Sequence, residues 1–442
     1  MTPLEYEIPK SVTTALVFVG LLSLLLLGVD IAFAMAGLGV ALILSADLSP
    51  LLMPQAMMAS MDNFILLAVP LFILMANVLL RGGAGNDLFN AVQSWVGHWP
   101  GGLAVATILS CAIFSAISGS SVATAATIGT VAIPAMISRG YERSFVYGLL
   151  AAGGTIGILI PPSIPMIVFG FVMSESIVDL FLAGIGPGLL LTAFFVVYVV
   201  LWAHFGGGQR KAPRASWSER RRATLRAFPT LALAILVLFG IYFGVFTPTE
   251  AAGVGFVAAL IITLVIQRSL TTGELFVIAR DSARTSVMVL FIIAGAKVFG
   301  QALALYQIPQ EVTAAVVVNL VLPVAFIGGI CVLLLVMGCV LETLSMMLLM
   351  LPIIEPSLRD LAIDPIWFGV IFTMMMECAL ITPPVGLNLF VIQAVASADE
   401  HSPSVSTGDV ARGVFPFVLL IIMCVVLVIA MPEIALYIPF YL

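Results

Sequence analysis

The chain has 442 residues, 62% of them hydrophobic and 9% charged, with a formal net charge of -6. Soluble domains carry roughly 25% charged residues, so this composition excludes a water-soluble globular protein and indicates a polytopic membrane protein. Cys111, Cys331, Cys339, Cys378 and Cys424 all sit in apolar runs with no paired spacing near a histidine, and read as small core residues, not as a metal or redox framework.

Glu5 and Glu7 stand where a secretory signal would carry basic residues, so no cleaved signal peptide is expected. A spanning helix needs about 20 apolar residues. Ten segments qualify, at 12–29, 30–47, 63–80, 144–172, 181–204, 228–246, 248–267, 285–305, 366–398 and 410–431. Two further apolar stretches, 101–138 and 323–356, are too long for one span and carry a polar cluster at their middle. Ser118, Gly119, Ser120 and Ser121 interrupt the first; Gly338, Glu342, Thr343 and Ser345 interrupt the second. Both read as re-entrant helical hairpins.

The fold expected is therefore all-α and polytopic, with about ten spans and two hairpins. Basic residues test the threading, because cytoplasmic loops collect Lys and Arg. With both chain ends outside, fourteen fall inside, at Arg81, Arg139, Arg143, Arg210, Lys211, Arg214, Arg220, Arg221, Arg222, Arg226, Arg268, Arg280, Arg284 and Arg412. Lys10 and Arg359 fall outside, and Lys297 lies within a span. Reading each hairpin as a single span would instead put Arg139 and Arg143 opposite Arg81.

The same threading divides the chain into scaffold helices at 1–62, a first repeat at 63–204, a basic cytoplasmic loop with scaffold helices at 205–284, its stretch from Gln209 to Arg226 expected to be a solvated connector, and a second repeat of opposite orientation at 285–442. Each repeat runs span, amphipathic stretch, hairpin, proline-broken span, final span. Paired interrupted helices in inverted halves point to a secondary transporter whose sites lie at the breaks.

The breaks also suggest the chemistry. Proline cannot donate to the carbonyl four residues back, so Pro161, Pro162, Pro383 and Pro384 free backbone oxygens. Non-helical backbone at membrane depth survives only where protein or a watery cavity surrounds it. Those carbonyls and the hydroxyls of Ser120, Ser121, Thr124, Thr155, Thr343 and Thr382 would form a cage suited to a hard cation such as sodium. Half-helix N-termini beside it suit a carboxylate. The competing explanation is that the prolines only kink tightly packed helices.

The run from Ser118 to Pro134, the segment from Gly153 to Pro165, Thr247–Ala252 and the segment from Thr382 to Asn388 resemble the large membrane subunit of tripartite ATP-independent periplasmic (TRAP) transporters. The resemblance covers essentially the whole chain. It implies a sodium-driven importer of a small carboxylate solute, such as a C4-dicarboxylate or a sialic or sugar acid, working by an elevator motion in the inner membrane. It also implies a small four-helix membrane subunit and a periplasmic substrate-binding protein as partners. On this reading the oxygens of Ser118, Gly119, Ser120, Ser121, Gly157, Pro161, Gly338, Glu342, Thr343, Thr382, Pro383 and Gly386 hold sodium. Thr124, Thr155, Pro162, Ser163, Pro384 and Asn388 face the solute. No cofactor is expected beyond sodium as coupling ion.

Other residues carry less. Thr247, Pro248 and Glu250 form a capping box that starts a helix. Lys297, costly at membrane depth, should have a partner: an acid on another subunit or an anionic lipid, with Glu377 as an internal candidate. His98, His204 and His401 sit at edges or in loops. No Gly-Lys-Ser/Thr phosphate loop is present. An intramembrane protease lacks its histidine or aspartates at depth. A sodium-dicarboxylate carrier working without a binding protein, and a channel with a hairpin filter, remain as alternatives.

Overall fold

A computed structural model of the protein describes residues 10–46, 49–206, 213–319, 322–398 and 405–441. Glu5, Glu7, Arg210, Lys211 and His401 lie outside the described residues. The described residues form α-helices, with no strand among them. In the first half these are α1 (Lys10–Leu26), α2 (Ile31–Ser45), α3 (Leu52–Met61), a 3-10 turn at Phe64–Leu67 leading into α4 (Ala68–Arg81), α5 (Ala84–Val96), α6 (Gly102–Ser118), α7 (Ser121–Ile137), α8 (Arg143–Leu159), α9 (Ile164–Met173) and α10 (Ile177–Gly206). In the second half follow α11 (Trp217–Tyr242), α12 (Pro248–Ile261), continued by a π-helical turn at Ile262–Ile266, α13 (Thr272–Leu305), α14 (Ile308–Asn319), α15 (Pro323–Met337), α16 (Thr343–Asp360), α17 (Pro365–Ile381), α18 (Leu387–Ser397), α19 (Thr407–Ala430) and α20 (Glu433–Tyr441).

Both expected hairpins are present as helix pairs, α6–α7 and α15–α16, and both expected breaks are present, between α8 and α9 and between α17 and α18. Among the described residues six helices are long and apolar enough to cross a membrane, and α8 with α9 makes a seventh bent by 42°. With 17 and 15 residues, α1 and α2 fall short of a full perpendicular span.

Several boundaries differ from the sequence reading. The Arg-rich segment before residue 228, expected to be a solvated loop, is helical from Trp217 onward. A capping box explains it: Ser216 Oγ accepts from the Glu219 amide, and Glu219 reaches back to the Ser216 amide. The same device at Thr271 and Glu274 starts α13 at Thr272, so the division placed at residue 285 falls inside a continuous helix. The third box, at Thr247 and Glu250, stands where the sequence places it. Neither α3 nor α20 was anticipated.

Packing is reciprocal between the halves. α2 packs on α13 and α12 on α4; α1 packs on α14 and α11 on α5; α7 packs on α18 and α16 on α9. Each pairing recurs with the halves exchanged, and it includes α1, α2, α11 and α12, which the sequence reading left outside its repeats. One end of the bundle gathers the arginines. Arg81 pairs with Asp281 at 2.7 Å, Arg220 lies 5.2 Å from the Trp95 ring centroid, and Trp95 Nε1 donates to Thr224 Oγ1 at 3.0 Å.

Candidate functional site

The first hairpin turns on Gly119, whose φ of +57° lies in the left-handed region that side chains disfavour. A Cβ there would also collide with the carbonyl oxygen of Pro162, so the tip is pressed against the first break. Ser120 caps α7, its hydroxyl accepting from the Ala123 amide at 3.3 Å. Ser118 Oγ and Thr124 Oγ1 are 2.9 Å apart, and Thr124 Oγ1 also lies 2.9 Å from the Ser120 carbonyl. Gly157 packs against Ser115, Thr124 and Ser120 from the other side. Side-chain and main-chain oxygens thus converge where tip and break meet.

The second hairpin repeats the scheme with different residues. A Cβ on Gly338 would run into Ala379 near the end of α17. Glu342 stands at the start of α16 but makes no capping hydrogen bond; it accepts from Ser345 Oγ at 3.4 Å. Thr382 Oγ1 donates to the Cys378 carbonyl at 2.6 Å. Pro383 and Pro384 are exposed, and Gly386 turns the chain into α18 with φ +50°. In each Pro-Pro pair the bond between the two prolines is cis.

The two tips meet in one cavity of about 240 Å³. Ser118, Gly119, Ser120 and Ser121 line it from one hairpin, Glu342 and Thr343 from the other. Asn77 of α4 and Thr285 and Met288 of α13 form the facing wall. A neighbouring cavity of about 390 Å³ adds Asp30 and Val385 beside Glu342 and Gly338.

Other expected residues lie elsewhere. Thr124, Thr155, Ser163 and Asn388 are fully buried behind the tips, and none lines the tip cavity. Thr155 Oγ1 donates to Ala152 of its own helix at 2.7 Å, and Ser163 caps α9. The Pro161 ring faces an apolar groove lined by Phe181 and Phe239. Lys297 forms no ion pair with Glu377. It lines a separate cavity with Glu355, because α13 turns that face toward α9 and α16.

Glu377 is the residue that the site reading missed. It is 1% exposed near the C-terminal end of α17, and among the described residues neither carboxylate oxygen has a hydrogen-bond partner. Ser121 Oγ lies beside it without forming a well-aligned bond. Asn388 Nδ2 donates to that same Ser121 Oγ at 2.6 Å and to the Ala151 carbonyl at 3.4 Å, leaving Asn388 Oδ1 unpartnered. The signal was present in the sequence, since a lone acid within Met374–Leu380 marks a functional position by default.

Inverted hairpins and broken helices around a shared polar cavity define a secondary-transporter architecture. The crystal structure of the Alcanivorax borkumensis YdaH transporter, 14% identical, has a similar fold, with a TM-score of 0.58 and 87% of each chain covered. Residues 18–434 match the family model of the tripartite ATP-independent periplasmic transporter, DctM component. The chain is 35% identical to the ectoine TRAP transporter large permease protein TeaC of Halomonas elongata, over 87% of this chain and 88% of that one. It is 36% identical to the C4-dicarboxylate TRAP transporter large permease protein DctM of Pseudomonas aeruginosa, over 86% and 87%. The chain belongs to the DctM family of TRAP transporter large permeases. It is a multi-pass inner-membrane permease, and the protease and channel alternatives are set aside.

Proposed function

We propose that the chain imports a small carboxylate-bearing solute by sodium-coupled alternating access, receiving it from a periplasmic binding protein and working with a small membrane subunit. One observation carries the sodium reading: among the described residues Glu377 is a buried carboxylate with no basic side chain in ion-pair reach and no hydrogen bond to offset its desolvation. An isolated buried charge is very costly unless a counter-charge or a proton compensates it. Ser121 Oγ, the unpartnered Asn388 Oδ1 and the carboxylate are the oxygens these residues can offer a cation, a ligand type that suits a hard ion.

Position along α13 supports an elevator motion. The tip cavity touches Thr285 and Met288, four and seven residues beyond Asp281 at the arginine end. At 1.5 Å per residue the cavity lies about 6–10 Å above that end. Taking the arginine end as cytoplasmic, the tips occupy an inward-facing position. An elevator carries α6–α9 and α15–α18 outward past α2, α4, α12 and α13.

The solute would sit in the tip cavity, while the buried oxygens behind the first tip serve the ion. Equilibrium binding of radioactive sodium to the purified complex of this chain with its membrane partner tests the reading. Saturable binding that weakens sharply in Glu377→Gln is expected; equal binding by both proteins would refute the ion assignment.

A further inference from the structure

At the end of the bundle opposite the arginines, a cavity of about 490 Å³ opens between α3 and α13 on one side and α9 and α16 on the other. Lys297 projects into it from α13. It lies 16 residues beyond Asp281, or about 24 Å along the helix, most of the way across a hydrocarbon core of about 30 Å. Its ammonium sits 5.1 Å from the centroid of the Phe171 ring. Among the described residues no carboxylate comes within ion-pair distance of it.

The one acid lining this cavity is already engaged. Glu355 accepts a 2.6 Å hydrogen bond from Arg359 one turn along α16. Glu175, Asp179 and Asp364 gather nearby, yet none lines the cavity. Lys297 thus faces the space without an ion pair of its own, attracted across the cavity by a Glu355 already bound to Arg359, with Asn63, Gln301 and Ser174 as polar neighbours. Inside the hydrocarbon boundary a lysine is costly unless its charge is answered or reaches water.

We propose that this cavity is an outer binding site for a small organic carboxylate, with Lys297 as the counter-charge and Asn63 and Gln301 as hydrogen-bond donors. The proposal rests on the transport reading above and deepens it. Lys297 lies nine residues beyond Met288, so a travel of about 13 Å would bring the hairpin tips from their present wall to the level of this cavity. The scaffold would then hold the solute's carboxylate while the tips arrive to collect it, and the solute would leave Lys297 behind as the tips descend.

The test places a cysteine at Ala59, an exposed position on the cavity wall, in a cysteine-free background of the reconstituted complex with no ion gradient. Reaction rates with an anionic and a cationic methanethiosulfonate are compared, with and without Lys297→Gln. A unit charge a few ångströms away in water is worth about 1 kcal/mol. Each reagent's rate should therefore change about fivefold in opposite directions, so the anionic-to-cationic ratio should fall roughly thirtyfold in the variant, and stay unchanged in Lys297→Arg. Succinate, gluconate or acetate should slow the anionic reagent, and the protection should vanish with Lys297→Gln.

A ratio indifferent to Lys297, or protection by none of the three anions, would overturn the proposal. If Lys297→Gln fails to assemble, the anion protection measured with lysine and arginine at position 297 still decides. These rates are read without transport, so they can hold even if sodium coupling or hairpin travel fails, and the converse is equally visible.

Discussion

Asn388, the second residue of α18, donates to Ser121, the first residue of α7, across 2.6 Å of buried space. The bond ties the break of one repeat to the hairpin tip of the other. Glu377 stands beside the same serine hydroxyl, so a cation bound there would sense both repeats at once. On the proposed reading, that would give the inverted architecture a physical means of making ion occupancy a condition for movement.

Replacing Glu377 with glutamine keeps the shape and removes the charge. Sodium-driven uptake should fall by at least tenfold, and the sodium concentration for half-maximal uptake should rise, while the protein still elutes as a folded complex. Unchanged sodium dependence would return Glu377 to the role of a buried structural acid.

Ser120, Ser121 and Thr382 separate ion binding from simple kinking. Alanine at Ser120 removes the α7 cap, worth about 1 kcal/mol of stability. Alanine at Ser121 should raise the half-maximal sodium concentration several-fold, because its oxygen faces Glu377 and Asn388. Alanine at Thr382 should have the smallest effect on sodium dependence, since its hydroxyl is spent on the Cys378 carbonyl. Sodium titrations of uptake in the three variants give the order.

Gly148 and Gly413 mark where α8 and α19 cross with backbones in contact; a Cβ on Gly148 would overlap the Gly413 carbonyl group. Gly148→Ala should destabilise the protein by about 1–3 kcal/mol through overpacking. A lowered thermal midpoint of the purified complex checks this, and no change would mean the crossing is looser than it looks.

Motion has its own test. Val122 of the first tip and Met288 of α13 line the same cavity. Cysteines at the two positions should crosslink in the inward-facing state and arrest uptake until reduced. Full crosslinking with uptake intact would show that the hairpins do not travel past α13.

Much of the fold was legible because the signals are local. The polar interruptions at Ser118–Ser121 and Glu342–Ser345 and the paired prolines placed both hairpins and both breaks within a few residues. The Arg220–Arg222 run was misread because charge suggested a solvated loop. The Ser216–Glu219 capping box and the ring of Trp95, which receives Arg220, extend α11 through it instead.

The buried centre was not legible. Glu377, Asn388 and Ser121 come from α17, α18 and α7, and no spacing in the chain shows that three distant helix ends converge. Lys297 was flagged as needing a partner, but the cavity it lines is made by α3, α9 and α16. Its surroundings follow from tertiary packing alone.

Reconstituting the chain with its small membrane subunit and binding protein in liposomes, and imposing either a sodium or a proton gradient of equal size, tests coupling most directly. Solute should accumulate against its gradient with inward sodium and should not with inward protons, whatever the ATP supply. Uptake that proceeds undiminished when protons replace sodium would contradict the sodium-coupled account.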